Sequence, residues 1–203
     1  QREPRAPLQL TRRAGQRRSE VARPQVYVFG EIEGAAACWP LVRLYCSWRL
    51  VFEPSKWWVI QGETTGETYL SSAGPQGFCA WNHPIAAHLA CKSLQGWPRL
   101  EFVVRGTDAH GRHQLAGYGS WALPGSPGTS EVLCRCWRPT GPSLWSRLRA
   151  HLLGAVPELQ QNGVLSDPLK SRAGLKTEDS VDVLLRISIV HQHFRENGLE
   201  TAE

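Results

Sequence analysis

The sequence predicts an all-β fold, an antiparallel β-sandwich with one short helix inserted late in the chain. Three observations predict it. Short runs alternate apolar and polar residues with a period of two, the period at which a strand buries one face. Glycine and proline clusters close nearly every run, as turns between antiparallel strands require. Only one segment, Pro142 to Gly154, shifts to helical spacing.

Taken in order, Gln25 to Gly34 (QVYVFGEIEG) reads as the first strand, and Ala35 to Pro40 as a connection. Leu41 to Phe52 is longer, with Val42, Leu44, Cys46, Trp48 and Leu50 predicted on one face. Pro54-Ser55 turns the chain into Lys56-Trp57-Trp58-Val59-Ile60, and the polar stretch Gln61 to Thr68 reads as a mobile loop. Gln76 to Ile85 is a short strand meeting Pro84, beyond which Ile85, Ala87, Leu89 and Cys91 continue to alternate. Leu94 to Gly119 reads as a hairpin. Leu100, Phe102 and Val104 point one way and Arg99, Glu101, Val103 and Arg105 the other, with Asp108-Ala109-His110-Gly111 as turn chemistry. Gly117 and Gly119 in its second strand predict a close backbone approach or a bulge.

That strand continues through Trp121 and Leu123 into Pro124-Gly125-Ser126-Pro127-Gly128, and Glu131 to Trp137 resumes strand character. The helix rests on Leu144, Trp145, Leu148 and Leu152, with Ser143 placed to cap and Gly154 to stop it. Residues 155–179 read as a loop-rich excursion, and Ser180 to Phe194 as the last strand. The pattern gives about eight strands with Greek-key-like connections. It divides the chain into a disordered Arg-rich tail (1–24), one domain (25–195) and a polar C-terminal tail (196–203).

Charge narrows the function classes. The net charge is +5 over 203 residues, but residues 1–24 hold seven arginines against Glu3 and Glu20. The remainder carries 16 basic and 16 acidic residues, so the folded part offers no basic surface for nucleic acid. No apolar run is long enough for a membrane helix, and the opening Gln1-Arg2-Glu3-Pro4 shows no signal-peptide pattern, which with the lack of methionine suggests a processed or truncated start. Six scattered cysteines without a Cys-x-x-Cys are read as reduced, buried thiols of a cytosolic protein.

Catalytic chemistry finds little purchase. There is no nucleophile elbow, P-loop or dinucleotide-binding glycine pattern, and the chain has four aspartates, Asp108, Asp167, Asp179 and Asp182. His191 with His193, and Cys134 with Cys136, each supply two groups where zinc needs four, or three and a water; incidental sheet residues are the preferred reading. No enzyme and no cofactor is predicted. Most of the nine tryptophans fit core faces. Trp57 and Trp58 differ, because adjacent strand residues face opposite ways, so one of them is a candidate partner contact.

Several ordered blocks carry a family resemblance. They are Trp81-Asn82-His83-Pro84-Ile85, Leu94 to Leu100 (LQGWPRL), Asp108 with Gly111-Arg112, and Gln114 to Gly119 (QLAGYG). Val28 to Ala35, Leu123 to Thr129, Trp137-Arg138-Pro139, and Phe194 with Gly198 extend them. Over about residues 26–198 the chain resembles the B9 (B-nine) domain family of ciliary proteins. The resemblance implies a variant of the C2 β-sandwich and a non-catalytic subunit of the tectonic-like (Meckel-syndrome) complex. It implies a place at the basal body and transition zone, in the barrier to diffusion between plasma and ciliary membranes and in support of ciliogenesis. The implied partners are other B9 domain proteins, the first B9 protein and the Meckel-syndrome type 1 protein among them. Calcium-binding C2 domains hold the ion with several aspartates, because a hard cation wants six to eight oxygens. Asp108 alone occupies the equivalent loop, followed by Ala109 and His110, so no metal site is expected. Any contact with phospholipid would then be direct and calcium-independent, through side chains such as Lys92, Arg105 and Arg112.

Overall fold

Val26, Val28 and Ile32 are buried while Phe29 between them is exposed, and the same alternation recurs strand after strand. A face that is apolar on one side only must be covered, which sets the architecture. A computed structural model of the chain describes residues 22–36, 41–139 and 177–199. Ten strands occur among them: β1 (Gln25–Ala36), β2 (Leu41–Val51), β3 (Trp57–Gly62), β4 (Thr65–Glu67), β5 (Ser71–Ser72), β6 (Phe78–Cys91), β7 (Arg99–Asp108), β8 (His113–Ala122), β9 (Gly128–Pro139) and β10 (Thr177–Gln192). All pairings are antiparallel, in the order β3-β6-β1-β10-β9-β8-β7-β2-β4, with β5 also on β2. A single residue pair in register, Tyr118 with Trp137, joins β8 to β9. The sheet folds there into two halves that face each other, giving the predicted antiparallel β-sandwich.

The interior between the halves is filled by Trp57, Trp81, Phe102, Leu100, Leu185, Ile187 and their neighbours. Burying each such side chain contributes about 1.5–3 kcal/mol, so this layer is the main source of stability. Trp81 on β6 spans it, its indole N–H donating to the Leu44 carbonyl of β2 at 3.0 Å. Beside it, Trp48 of β2 meets the His83 ring of β6 edge-on. A smaller cluster of Leu115, Tyr118 and Trp137, with Val103 against it, lies apart from this core.

Four elements depart from the pattern reading, each for a local reason. Alternation places Val42 inside with Leu44, but a register shift between Leu41 and Arg43 makes Val42 the extra residue of a bulge. Leu41 is buried in its place and Val42 turns outward. The stretch predicted to be a mobile loop contains the end of β3 and all of β4, because Thr65–Glu67 pairs with Ser47 to Arg49. Thr68 is buried there, its hydroxyl accepting the Cys46 N–H. The strand ending at Pro84 and the alternating run beyond it are one strand, β6. Its partner β3 stops at Gly62 opposite Ala87, so Pro84 sits where β6 has a free edge, a position that tolerates the missing N–H. The last strand begins at Thr177, three residues earlier than expected.

The helix expected over 142–154 lies outside the described residues, as do residues 1–21 of the N-terminal tail, Cys38, and residues 200–203 at the C terminus. Ala22 to Pro24 and the 3-10 turn Arg195–Asn197 are described, and the Asn197 amide donates to the Ala22 carbonyl at 2.7 Å.

The hairpin of β7 and β8 follows the expectation closely. Gly111 takes a φ of +76° in the turn, and a register shift places Ala116 as an extra residue opposite Val104 and Arg105. Gly119 pairs with Phe102, and a Cβ there would lie 1.9 Å from the Phe102 ring. Gly119→Ala is therefore expected to lower stability by about 1–3 kcal/mol, the range for forcing extra volume into a packed interior. Gly125→Ala, where nothing lies within 4 Å, should fall within about 0.5 kcal/mol of wild type in the same urea denaturation series.

Candidate functional site

The residues singled out by sequence divide between the two ends of the sandwich. At one end the β7–β8 turn is built around Asp108, which is 4% exposed. Its Oδ1 accepts the backbone N–H groups of His110 (2.8 Å) and Arg112 (3.0 Å), and its Oδ2 accepts Arg112 Nε at 2.7 Å and Gln114 Nε2 at 3.5 Å. An aspartate that bonds to backbone two residues on is a standard turn device, so the local sequence explains the geometry. Burial pushes the carboxyl pKa up, but the N–H donors of Arg112 and His110 and the Arg112 guanidinium outweigh it and hold it below the ordinary 3.8. The carboxylate is thus spent on its own turn, and no cluster of three or more potential metal ligands occurs among the described residues.

Arg105, three residues before Asp108, lines a cleft of about 470 Å³ with Ser47, Trp48, Arg49, Glu67 and Glu101. Glu101, expected on alternation alone to be an outward strand residue, is 1% exposed. Its Oε2 binds the Arg49 guanidinium at 2.7 Å, and Arg99 stands 3.6 Å from its Oε1. The signal that alternation misses is the cross-strand row that sets Arg49 opposite Glu101. The cleft holds charges of both signs and no concentration of either.

At the opposite end, Trp57 is 1% exposed, donates its indole N–H to the Gln95 carbonyl at 3.1 Å and meets Trp97 edge-on at 5.2 Å. It belongs to the core. Trp58 faces outward, half-buried, with the Arg23 guanidinium 5.2 Å above its ring. Lys92 is exposed, its backbone N–H bonded to the Lys56 carbonyl. The structure therefore brings Asp108 and Arg112 together, keeps Arg105 at the same end, and separates these three from Trp57, Trp58 and Lys92.

The histidine and cysteine pairs do not form a shared metal site. His191 is sandwiched between Trp97 and Phe194, stacked on the latter at 4.1 Å, and neither ring nitrogen has a hydrogen-bond partner among the described residues. His193 takes a φ of +60° just past β10 and binds Glu196 at 2.9 Å. Cys46, Cys79, Cys91, Cys134 and Cys136 are all free thiols and buried. Burial pushes the Cys46, Cys91 and Cys134 thiols up, away from the thiolate that nucleophilic or metal chemistry needs.

Comparison with known proteins gives a consistent picture. A family model described as "Ciliary basal body-associated, B9 protein" matches residues 26–190. B9 domain-containing protein 2 of Bos taurus is 36% identical over 176 residues, covering 87% of this chain and 98% of that protein. Tectonic-like complex member MKS1 of Mus musculus is 30% identical over 109 residues, 51% of this chain and 19% of the other. Among solved structures, a C2 domain of plant extended synaptotagmin 1 covers 83% of this chain and 96% of its own, at 8% identity and a TM-score of 0.39, a likeness too loose to bear on function.

The aromatic surroundings of His191 give a pH prediction. Burial lowers its pKa from the ordinary 6.5, so the unfolded chain binds the proton more readily than the folded one. Stability should therefore fall as pH drops below 6.5, with the loss ending once pH passes the folded value. Melting temperature measured against pH should show this slope in wild type and lose it in His191→Phe, which keeps a stackable ring. A further loss, below 3.8 and specific to the turn, should appear as Asp108 protonates and be missing in Asp108→Asn.

Proposed function

The chain belongs to the B9 domain family, a ciliary basal body-associated family, and from that premise we propose that it is a non-catalytic subunit of the tectonic-like (Meckel-syndrome) complex at the ciliary transition zone. Its work there is assembly with related sandwiches, in the barrier that limits diffusion of membrane proteins between plasma and ciliary membranes, and in support of ciliogenesis. Its partners are other B9 domain proteins, the first B9 protein and the Meckel-syndrome type 1 protein among them. The observation that carries the reading is the extent of the match: it runs from the second residue of β1 to within two residues of the end of β10. The likeness is thus to the whole sandwich and not to one loop. A relative named as a tectonic-like complex member shares half of the chain, which supports the same assignment.

Local chemistry agrees with an assembly role. The Asp108 carboxylate is committed to its turn, and burial pushes the Cys46, Cys91 and Cys134 thiols up, away from the thiolate. The alternative, a calcium-independent phospholipid binder, draws on Arg105, Arg112 and Lys92. These lie at opposite ends of the sandwich, so a flat bilayer could engage only one group at a time. A surface charge contributes about 1 kcal/mol near an anionic membrane, which leaves either group alone a weak anchor.

Affinity purification of the full chain from ciliated cells should recover other B9 domain proteins in stoichiometric amounts. Absence of all of them would overturn the assignment. Sedimentation with vesicles containing phosphatidylserine should show weak binding that calcium leaves unchanged; strong binding, above all with calcium, would favour the membrane reading instead.

A further inference from the structure

The outward-facing side of β6, β1, β10 and β9 exposes large apolar side chains in a defined pattern. Tyr27 pairs with His88 and Val190 across the ladder, and Phe29 with Ala86 and Ser188, which makes an apolar patch. Carboxylates border this patch on one side: the next row along the strands sets Glu31 opposite Arg186, and Arg186 opposite Glu131. Beyond them Leu184 pairs with Leu133. Phe29 and Val190 are each 46% exposed and Leu133 58%. Residues two apart on a strand share a face and lie about 7 Å apart. The charged row thus has Phe29 at that spacing on one side and Leu133 on the other.

This surface is held in place before anything lands on it. Tyr27 stacks on His88 at 3.9 Å and its hydroxyl donates to Gln192, while the hydroxyls of Thr129 and Ser188 meet at 2.7 Å. A pinned surface loses little freedom on binding. Its charge then selects the occupant. Arg186 is shared among Glu31 (3.4 Å), Glu33 (2.8 Å) and Glu131 (3.0 Å), and the Glu131 side chain is 67% exposed. Three carboxylates against one guanidinium leave the row acidic among the described residues. Such a row repels anionic lipid and nucleic-acid phosphate. A second copy docked through the same face would add three more carboxylates to the interface. A lysine or arginine of another protein meets the charge, and apolar side chains on either side of it meet Phe29 and Leu133.

We propose that this face is the docking site for a protein segment carrying a basic side chain between two apolar ones. The cation sits on the Glu31, Glu33 and Glu131 carboxylates, and the apolar groups sit on Phe29 and Leu133. The inference stands on the chemistry of this face and does not require the partners named above.

A random peptide library displayed on phage and panned on the full-length chain tests it. It should yield binders that lose about tenfold in affinity on Glu131→Lys or Leu133→Ser, the size of effect expected at an anchor position. Their sequences should share a lysine or arginine flanked on both sides by apolar residues at strand or helix spacing. Binding should weaken at high salt, which screens exposed pairs. Val42→Ser, an exposed apolar position on β2, should leave affinity unchanged. Phe29→Ser replaces either variant if its thermal melt shows that it folds poorly. The proposal is overturned if no binder responds to these substitutions, or if those that respond are acidic or lack a cation. Displacement of the peptides by phosphatidylserine vesicles, or a dimer in sedimentation that Leu133→Ser dissociates, would overturn it too, by giving the face to a membrane or to a second copy.

Discussion

A buried indole N–H is costly to leave without an acceptor, and the bond that Trp81 makes to meet this cost spans the interior. Trp81 is 1% exposed and donates to the Leu44 carbonyl on the facing sheet. An unmet donor in such a place costs roughly 1–3 kcal/mol, so the contact specifies how β6 sits over β2. It matters because the halves share a single ladder pair in register, Tyr118 with Trp137. Hydrogen bonding along the sheet alone would let the corner open like a book. The core packed around Trp81, Trp48 and Phe102 keeps it shut, and the glycine opposite Phe102 makes room for that ring.

Much of this is legible in the residues. Alternation in β1 and β10 reports one buried face, and Gly117 and Gly119 announce a close approach that Phe102 and a bulge account for. The errors fall where pairing overrides pattern. Val42 looks like its apolar neighbours, and only the ladder with β7 shows that a bulge turns it outward. Thr65–Glu67 has no apolar periodicity at all; it is a strand because β2 offers it partners. Glu101 reads as a surface residue until Arg49 is found across from it. The family-defining blocks are readable because they are ordered segments. The chemistry of Asp108 is readable only in part: the lack of companion carboxylates is a sequence fact, whereas its use as the hub of its own turn is geometric.

That hub bears on what kind of protein this is. A carboxylate accepting two backbone N–H groups and a guanidinium has little left to offer a cation, and removing it from that role would loosen the hairpin. The free thiols are similarly withdrawn from chemistry by burial. Among the described residues the surface offers shape and charge: an apolar sheet face with carboxylates at one side, and a cleft of mixed charge. These are the materials of recognition between macromolecules.

The sheet has two borders, and neither is built for pairing. One is β4, three residues long with the two-residue β5 beyond it; the other is β3, six residues interrupted at Ile60 by a register shift. Among the described residues, these short borders offer a second molecule little ladder to extend, and the open stretch of β6 beyond Gly62 is interrupted by Pro84, which has no N–H to donate. Open-ended polymerisation into filaments is thereby discouraged, even at the high local concentrations of a crowded assembly. Association through this sheet therefore falls to side-chain surfaces and not to added strands.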